Sequence, residues 1–280
     1  MSYIIYWAVI APDVKPLVPG VVVVVLSIWA PTASKSPALS VNAVVVLTAS
    51  VVVSTPTPDE ETVKDGAVAN VSKVHGVPGA LMSMLGNSFL NEIVNEYNIY
   101  NPADILDLLR LKVIKTLRQR ETNTKDGMDI SICVLNTELR EINYAGAFNP
   151  VYITSDVNEN ATSGFEVYQN EFVPNKYLKI LPADRFPVGI VEGQFNDMFT
   201  NKKYHYHPGD CLYMFSDGLA DQFGGSQGKK YKTKQLKDLL LKISKYDMEY
   251  QMLNISDDFE NWKGMHEQVD DILMIGIKLT

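Results

Sequence analysis

Cysteine is scarce. The 280 residues hold two, Cys133 and Cys211, each inside an apolar run. That excludes a disulfide framework and reads as buried free thiols suited to a reducing compartment. Long hydrophobic runs are missing too: nothing reaches the ~18 to 20 apolar residues that a membrane helix needs. The nearest, VPGVVVVVLSIWAP, is bounded too tightly by Pro19, Gly20 and Pro31. The N-terminus has no basic region followed by a cleavage site, so no secretory signal is read. Basic surplus is absent as well. A net charge of −8, without a basic stripe interleaved with aromatics, argues against a nucleic-acid partner. The expectation is a cytoplasmic chain with no membrane partner.

One stretch lacks almost all charge. Between Pro16 and Pro58 the only charged residue is Lys35, although 21% of the whole chain is charged. The first 78 residues hold 20 valines and no Phe or Arg. The β-branched runs Val21–Leu26, Val44–Leu47 and Val51–Val53 read as buried strands. The polar face that alternation should supply is missing, and residues 1–75 are anomalous for a natural core, since such a surface would aggregate.

From Gly79 the composition becomes ordinary. Leu81, Met84, Leu85, Phe89 and Ile93 recur at helical spacing. NPADILDLLRLKVIKTLRQR opens with Asn101 as N-cap and Pro102 at the first helical position, and ends in bases that complement the helix dipole. The period then changes to two. MDISICVLN, REINYAGA, VYITS, FEVYQN, KYLKIL and CLYMFS read as strands, the first two joined by the hairpin turn NTELRE. TKQLKDLLLKISK and MEYQMLNISDDFENWKG read as amphipathic helices, and DDILMIGIKL as a closing strand. Blocks of helices and strands, rather than strict alternation, predict an α+β fold with antiparallel sheets. With no repeat and no linker, residues 1–280 read as a single domain.

Three places set polar chemistry at the end of an apolar run. In YMFSDGLADQFGG, Asp217 follows a buried strand and Gly218 frees the backbone to turn. The other reading is a turn Asp bonded to its own backbone. In HEQVDDILMIGIKL, Asp270 and Asp271 open a strand and alternate to opposite faces; the other reading is a solvated strand start. Carboxylates gathered at neighbouring strand ends repel unless a cation lies between them, and hard Mg²⁺ or Mn²⁺ favours such oxygen donors. In HGVPGA, Gly76 and Gly79 permit close backbone approach at a helix start, with His75 beside it; a plain helix-entry turn reads equally. Asp126 and Asp129, in TKDGMDISICV, are read as structural.

Taken in order, HGVPGALMSMLGNSFLNEIV, KDGMDISICVLNT, INYAGAFNPVYI, FPVGI, GDCLYMFSDGLADQFGG and QVDDILMIGIKL resemble the metal-dependent, type 2C-like protein phosphatases, in their SpoIIE-like bacterial branch. The likeness runs from about His75 to Leu279. It implies an α-β-β-α sandwich, with two antiparallel sheets face to face and helices outside. It implies two Mn²⁺ or Mg²⁺ ions at one end of the sheets, activating a water that hydrolyses phosphoserine or phosphothreonine. The implied substrate is a regulatory phosphoprotein such as an anti-sigma-factor antagonist. Upstream sensor modules accompany such domains, and a homodimer is compatible with it. On that pattern Asp217 and Asp270 are metal ligands, Asn70 and Gly76 stand nearest the family's remaining ligand positions, and His75, Gly218, Asp271, Gly224 and Gly225 border the site.

The sequence departs from the pattern before the first helix. The family reads Asp-x-x-Gly-His-Gly there, and the Asp bridges two metals. Here the stretch runs Asn70-Val-Ser-Lys-Val-His75-Gly76, with a neutral amide nearest the acid's place. The upstream Ser-Gly-Asp-Phe falls on Ser36-Pro37-Ala38-Leu39, again without an acid. Two readings stay open. One is a pseudophosphatase that keeps the fold as a phosphoprotein-binding or signalling module. The other is a natural chain whose first 75 residues differ from these.

Overall fold

Strand by strand, the change of period after Gly127 emerges as paired backbone. A computed structural model describes residues 4–7, 21–27, 47–50, 85–122, 127–158, 164–191, 197–270 and 272–280. In chain order these form β1 (Ile4–Trp7), β2 (Val21–Ser27) and β3 (Leu47–Ser50). Residues 85–91 then form helix α1, which continues as a π-helical turn over Glu92–Glu96. Helices α2 (Pro102–Thr116) and α3 (Gln119–Thr122) follow. Next come β4 (Ile130–Asn136), β5 (Glu141–Ala147), β6 (Val151–Ser155), β7 (Glu166–Tyr168), β8 (Tyr177–Leu181), β9 (Lys202–His205) and β10 (Cys211–Phe215). The one-turn helix α4 (Gly218–Asp221) precedes a small hairpin of β11 (Phe223–Gly224) and β12 (Lys229–Lys230). Helices α5 (Lys232–Ile243) and α6 (Met248–Lys263) and strand β13 (Leu273–Lys278) complete the chain.

The strands form two main sheets, ordered β1-β13-β10-β6-β8-β7 and β3-β2-β4-β5-β9. Pairing is antiparallel except where β1 meets β13 and β2 meets β3, which run parallel. Both parallel pairs involve the N-terminal stretch, so the expectation of purely antiparallel sheets holds from β4 onward. Of the three valine-rich runs, β2 covers the first, and Leu47 of the second opens β3. Residues 44–46 and 51–53 lie outside the described residues, as does the start of the first helix.

Strands β4, β6, β10 and β13 are buried on both faces, which is why each reads as a nearly continuous apolar run. On β4, Ile130, Ile132 and Val134 pack with Ile105, Leu106 and Leu109 of α2, while Cys133 and Leu135 face the other sheet. On β10, Leu212 and Met214 join the inter-sheet layer with Tyr144, Val151, Ile153, Leu273, Ile275 and Ile277. Cys211, Tyr213 and Phe215 point outward to Leu236, Leu240, Ile255 and Phe259 of α5 and α6. The layers are therefore helices, sheet, sheet, helices, as expected. Both cysteines are buried and free, and burial raises both thiols.

Candidate metal centre

The antiparallel register of β10 with β13 sets Phe215 opposite Met274. One step further, the Ser216 N–H donates to the Leu273 carbonyl at 2.9 Å, and the Leu273 N–H donates to Ser216 Oγ at 2.9 Å. This pair of bonds ties the chain where Asp217 leaves β10 to the chain where Asp270 approaches β13. Asp217 stands at the N-cap position of α4, but its side chain does not cap the helix. It projects from an otherwise buried strand end and is itself exposed. Crowding of its carboxyl by surrounding protein raises its pKa, and the charges of Asp270 and Asp221 raise it further. Its own backbone N–H and Lys230 act in the opposite direction. Lys230 is already paired with Asp221 at 2.9 Å.

On the other sheet a third carboxylate lies near enough to feel the charge of Asp217. Asp129 stands one residue before β4, behind Met128, which exchanges two backbone bonds with Val188 at 3.1 and 2.9 Å. Burial pushes the Asp129 carboxyl up to about 6, and the charge of Asp217 adds to the rise. From sequence alone Asp129 reads as structural. It carries the same signal as Asp217, an acid abutting an apolar strand, but only the packing of the two sheets brings the strand ends together. The crossover from β5 to β6 runs through the same end. There the Asn149 carbonyl accepts bonds from Ser131 Oγ and Tyr144 Oη, each at 2.7 Å.

The glycine-rich hairpin follows Gln222 and packs against Trp262 of α6. A Cβ at Gly224 would stand 2.0 Å from the Trp262 carbonyl oxygen, and Gly225, at φ +65°, donates its N–H to that oxygen at 2.7 Å. Gly218 is buried as the first residue of α4. Asn70, His75, Gly76, Asp126 and Asp271 lie outside the described residues. A groove of about 690 Å³, lined in part by Phe172, Tyr231, Asp238 and Trp262, touches the hairpin at Gly225 but holds none of the three acids.

The donor chemistry suits hard divalent ions: carboxylate oxygens whose mutual repulsion a cation would relieve. Among the described residues, no three His, Cys, Asp or Glu side chains converge closely enough to cage a metal by themselves. Mg²⁺ is commonly held by one or two carboxylates and several waters, so the set is compatible with it.

The Stage II sporulation protein E (SpoIIE) family model matches residues 73–280. Among solved structures the chain is similar to the SiaA-PP2C domain of Pseudomonas aeruginosa, at 23% identity and a TM-score of 0.59, over 73% of this chain and 72% of that one. It is also similar to the PP2C phosphatase domain, with a regulatory-domain fragment, of SpoIIE from Bacillus subtilis, at 14% identity and a TM-score of 0.46, over 72% of this chain and 50% of that one. The RsbU and RsbW domains of a Mycobacterium tuberculosis protein match at 16% identity and a TM-score of 0.46, over 72% of this chain and 48% of theirs. The chain thus spans about half the length of those last two. No curated protein matches it. Among the described residues no helix is long and apolar enough to cross a membrane. With the fold of a PP2C-type phosphatase domain and a family match over most of its length, this chain belongs to the SpoIIE family.

Proposed function

We propose that the chain is a metal-dependent serine/threonine protein phosphatase acting on a bacterial regulatory phosphoprotein, of the kind an anti-sigma-factor antagonist represents. The observation that carries this reading is the pair of Ser216–Leu273 bonds that ties the strand end bearing Asp217 to the segment bearing Asp270, so that the charge of Asp270 is felt at Asp217. Asp217 and Asp270 would hold two Mn²⁺ or Mg²⁺ ions, with Asp129 contributing negative charge from the facing sheet. Such ions, when bound, neutralise phosphoryl charge and lower the pKa of an attacking water. The chain's own part is to fix the carboxylates. The Ser216–Leu273 pair holds the strand ends in register, and the buried layer beneath them keeps the two sheets from shifting. Rigid support of this kind spares the site reorganisation on binding.

A second reading is a pseudophosphatase that binds a phosphoprotein without hydrolysing it. The neutral Asn70 near an expected acid favours it. Turnover of a phosphoserine peptide, with and without Mn²⁺, separates the two. The phosphatase reading expects Mn²⁺-dependent hydrolysis that Asp217→Asn reduces by at least about 100-fold in kcat/KM. Metal-independent turnover, or full activity in the variant, contradicts it.

A further inference from the structure

Gln222 is fully buried, although glutamine belongs at the surface. Buried amides are kept only where their donors and acceptors are matched. Here Nε2 donates to the Phe223 carbonyl at 2.9 Å and to the Glu267 carbonyl at 2.8 Å, while Oε1 accepts the Val269 N–H at 3.3 Å. The Gln222 carbonyl accepts from Trp262 Nε1 at 3.2 Å and from the Tyr231 N–H at 2.9 Å. One side chain therefore joins the turn after Asp217 to the segment before Asp270. Gln222 follows Asp217 by the single turn of α4. Glu267 and Val269 precede Asp270 within an irregular, mainly exposed stretch.

We propose that Gln222 is a positioning residue for the metal centre, clamping the Asp270 segment to the Asp217 turn. This rests on reading Asp217 and Asp270 as metal-bearing carboxylates. The charges of those two acids oppose their approach, so a tether is needed to keep them close before an ion arrives. Gln222 supplies it by using both ends of its amide. Glutamate would lose the donor to the Glu267 carbonyl and add a further negative charge. Methionine, of similar length, would lose donor and acceptor together. Because Glu267 and Val269 are exposed, water can replace the lost bonds, so the position of the segment suffers more than the fold.

Calorimetric titration of the full chain with Mn²⁺ tests the clamp, alongside melting in a chelator. Gln222→Met is expected to weaken Mn²⁺ binding by about 10- to 100-fold, the range for residues that support metal ligands. Val269→Pro removes one of the clamp's two bonds to the segment, at an exposed position, and is expected to weaken binding in the same direction. A purely structural Gln222 would lower the melting temperature in chelator and leave Mn²⁺ affinity unchanged, which overturns the proposal. Should Gln222→Met fail to fold, unaltered affinity in Val269→Pro overturns it instead. Absence of Mn²⁺ binding in the unmutated chain removes the metal reading itself, a failure distinct from wild-type binding that both variants retain.

Discussion

Asp129 and Asp217 come from opposite sheets of the sandwich, and burial, with the charge of Asp217 adding to it, makes the Asp129 carboxyl harder to ionise. The fold thus gathers acids from both layers at one end, against their repulsion. Sites organised for binding often hold such unfavourable arrangements, stabilised by the structure around them.

The sign of the resulting pH dependence is fixed. Asp129 is pushed up to about 6 in the folded chain, against an ordinary 3.8, so between those values the folded state holds a proton that the unfolded state has released. This stabilisation is present at low pH and is lost as pH rises through about 6. In chelator, Asp129→Asn is therefore expected to melt a few degrees higher than the wild type at about pH 7 and at nearly the same temperature near pH 4. Melting curves across that range check it. A variant less stable than wild type at neutral pH contradicts it.

Gly224 has no room for a side chain. With the Trp262 carbonyl 2.0 Å from the place of a Cβ, Gly224→Ala must push the hairpin away from α6. Overpacking of this kind costs about 1–3 kcal/mol. Chemical denaturation should report that loss, and Trp262 fluorescence should change with it. Unaltered stability would mean that the hairpin is not packed against α6 as described.

Arg110 ties α2 to the loop beyond β8. It is buried, donates from Nε to the Gly189 carbonyl at 2.9 Å and from Nη1 to the Asp197 carbonyl at 2.8 Å, and lies 4.8 Å over the Phe186 ring. Lysine keeps the charge but not the planar fork. Arg110→Lys is expected to lose about 2 kcal/mol of stability, measurable by urea unfolding. An unchanged midpoint would mean that the fork is dispensable.

Much of this fold is legible because β4, β6, β10 and β13 are sealed on both faces. β6, Val151–Ser155, has the bounds that the sequence predicts. β9 gives no such signal: in Lys202–His205 only Tyr204 is buried, too little for a period at a sheet edge. The β11–β12 hairpin has two residues per strand and reads as a glycine-rich loop. Asp217 and Asp270 stand out as acids at strand ends. Asp129 carries a similar local signal, but its meaning depends on which sheets face each other. Gln222 gives none, because its partners lie 45 and 47 positions away.

Whether Asp217 holds a metal is decided by titrating the wild type and Asp217→Asn with Mn²⁺ in a calorimeter near neutral pH. Saturable binding to the wild type is expected, with its loss, or a fall of at least about 100-fold in affinity, in the variant. No binding to the wild type, or equal binding to both, would contradict the assignment of these carboxylates as a metal centre.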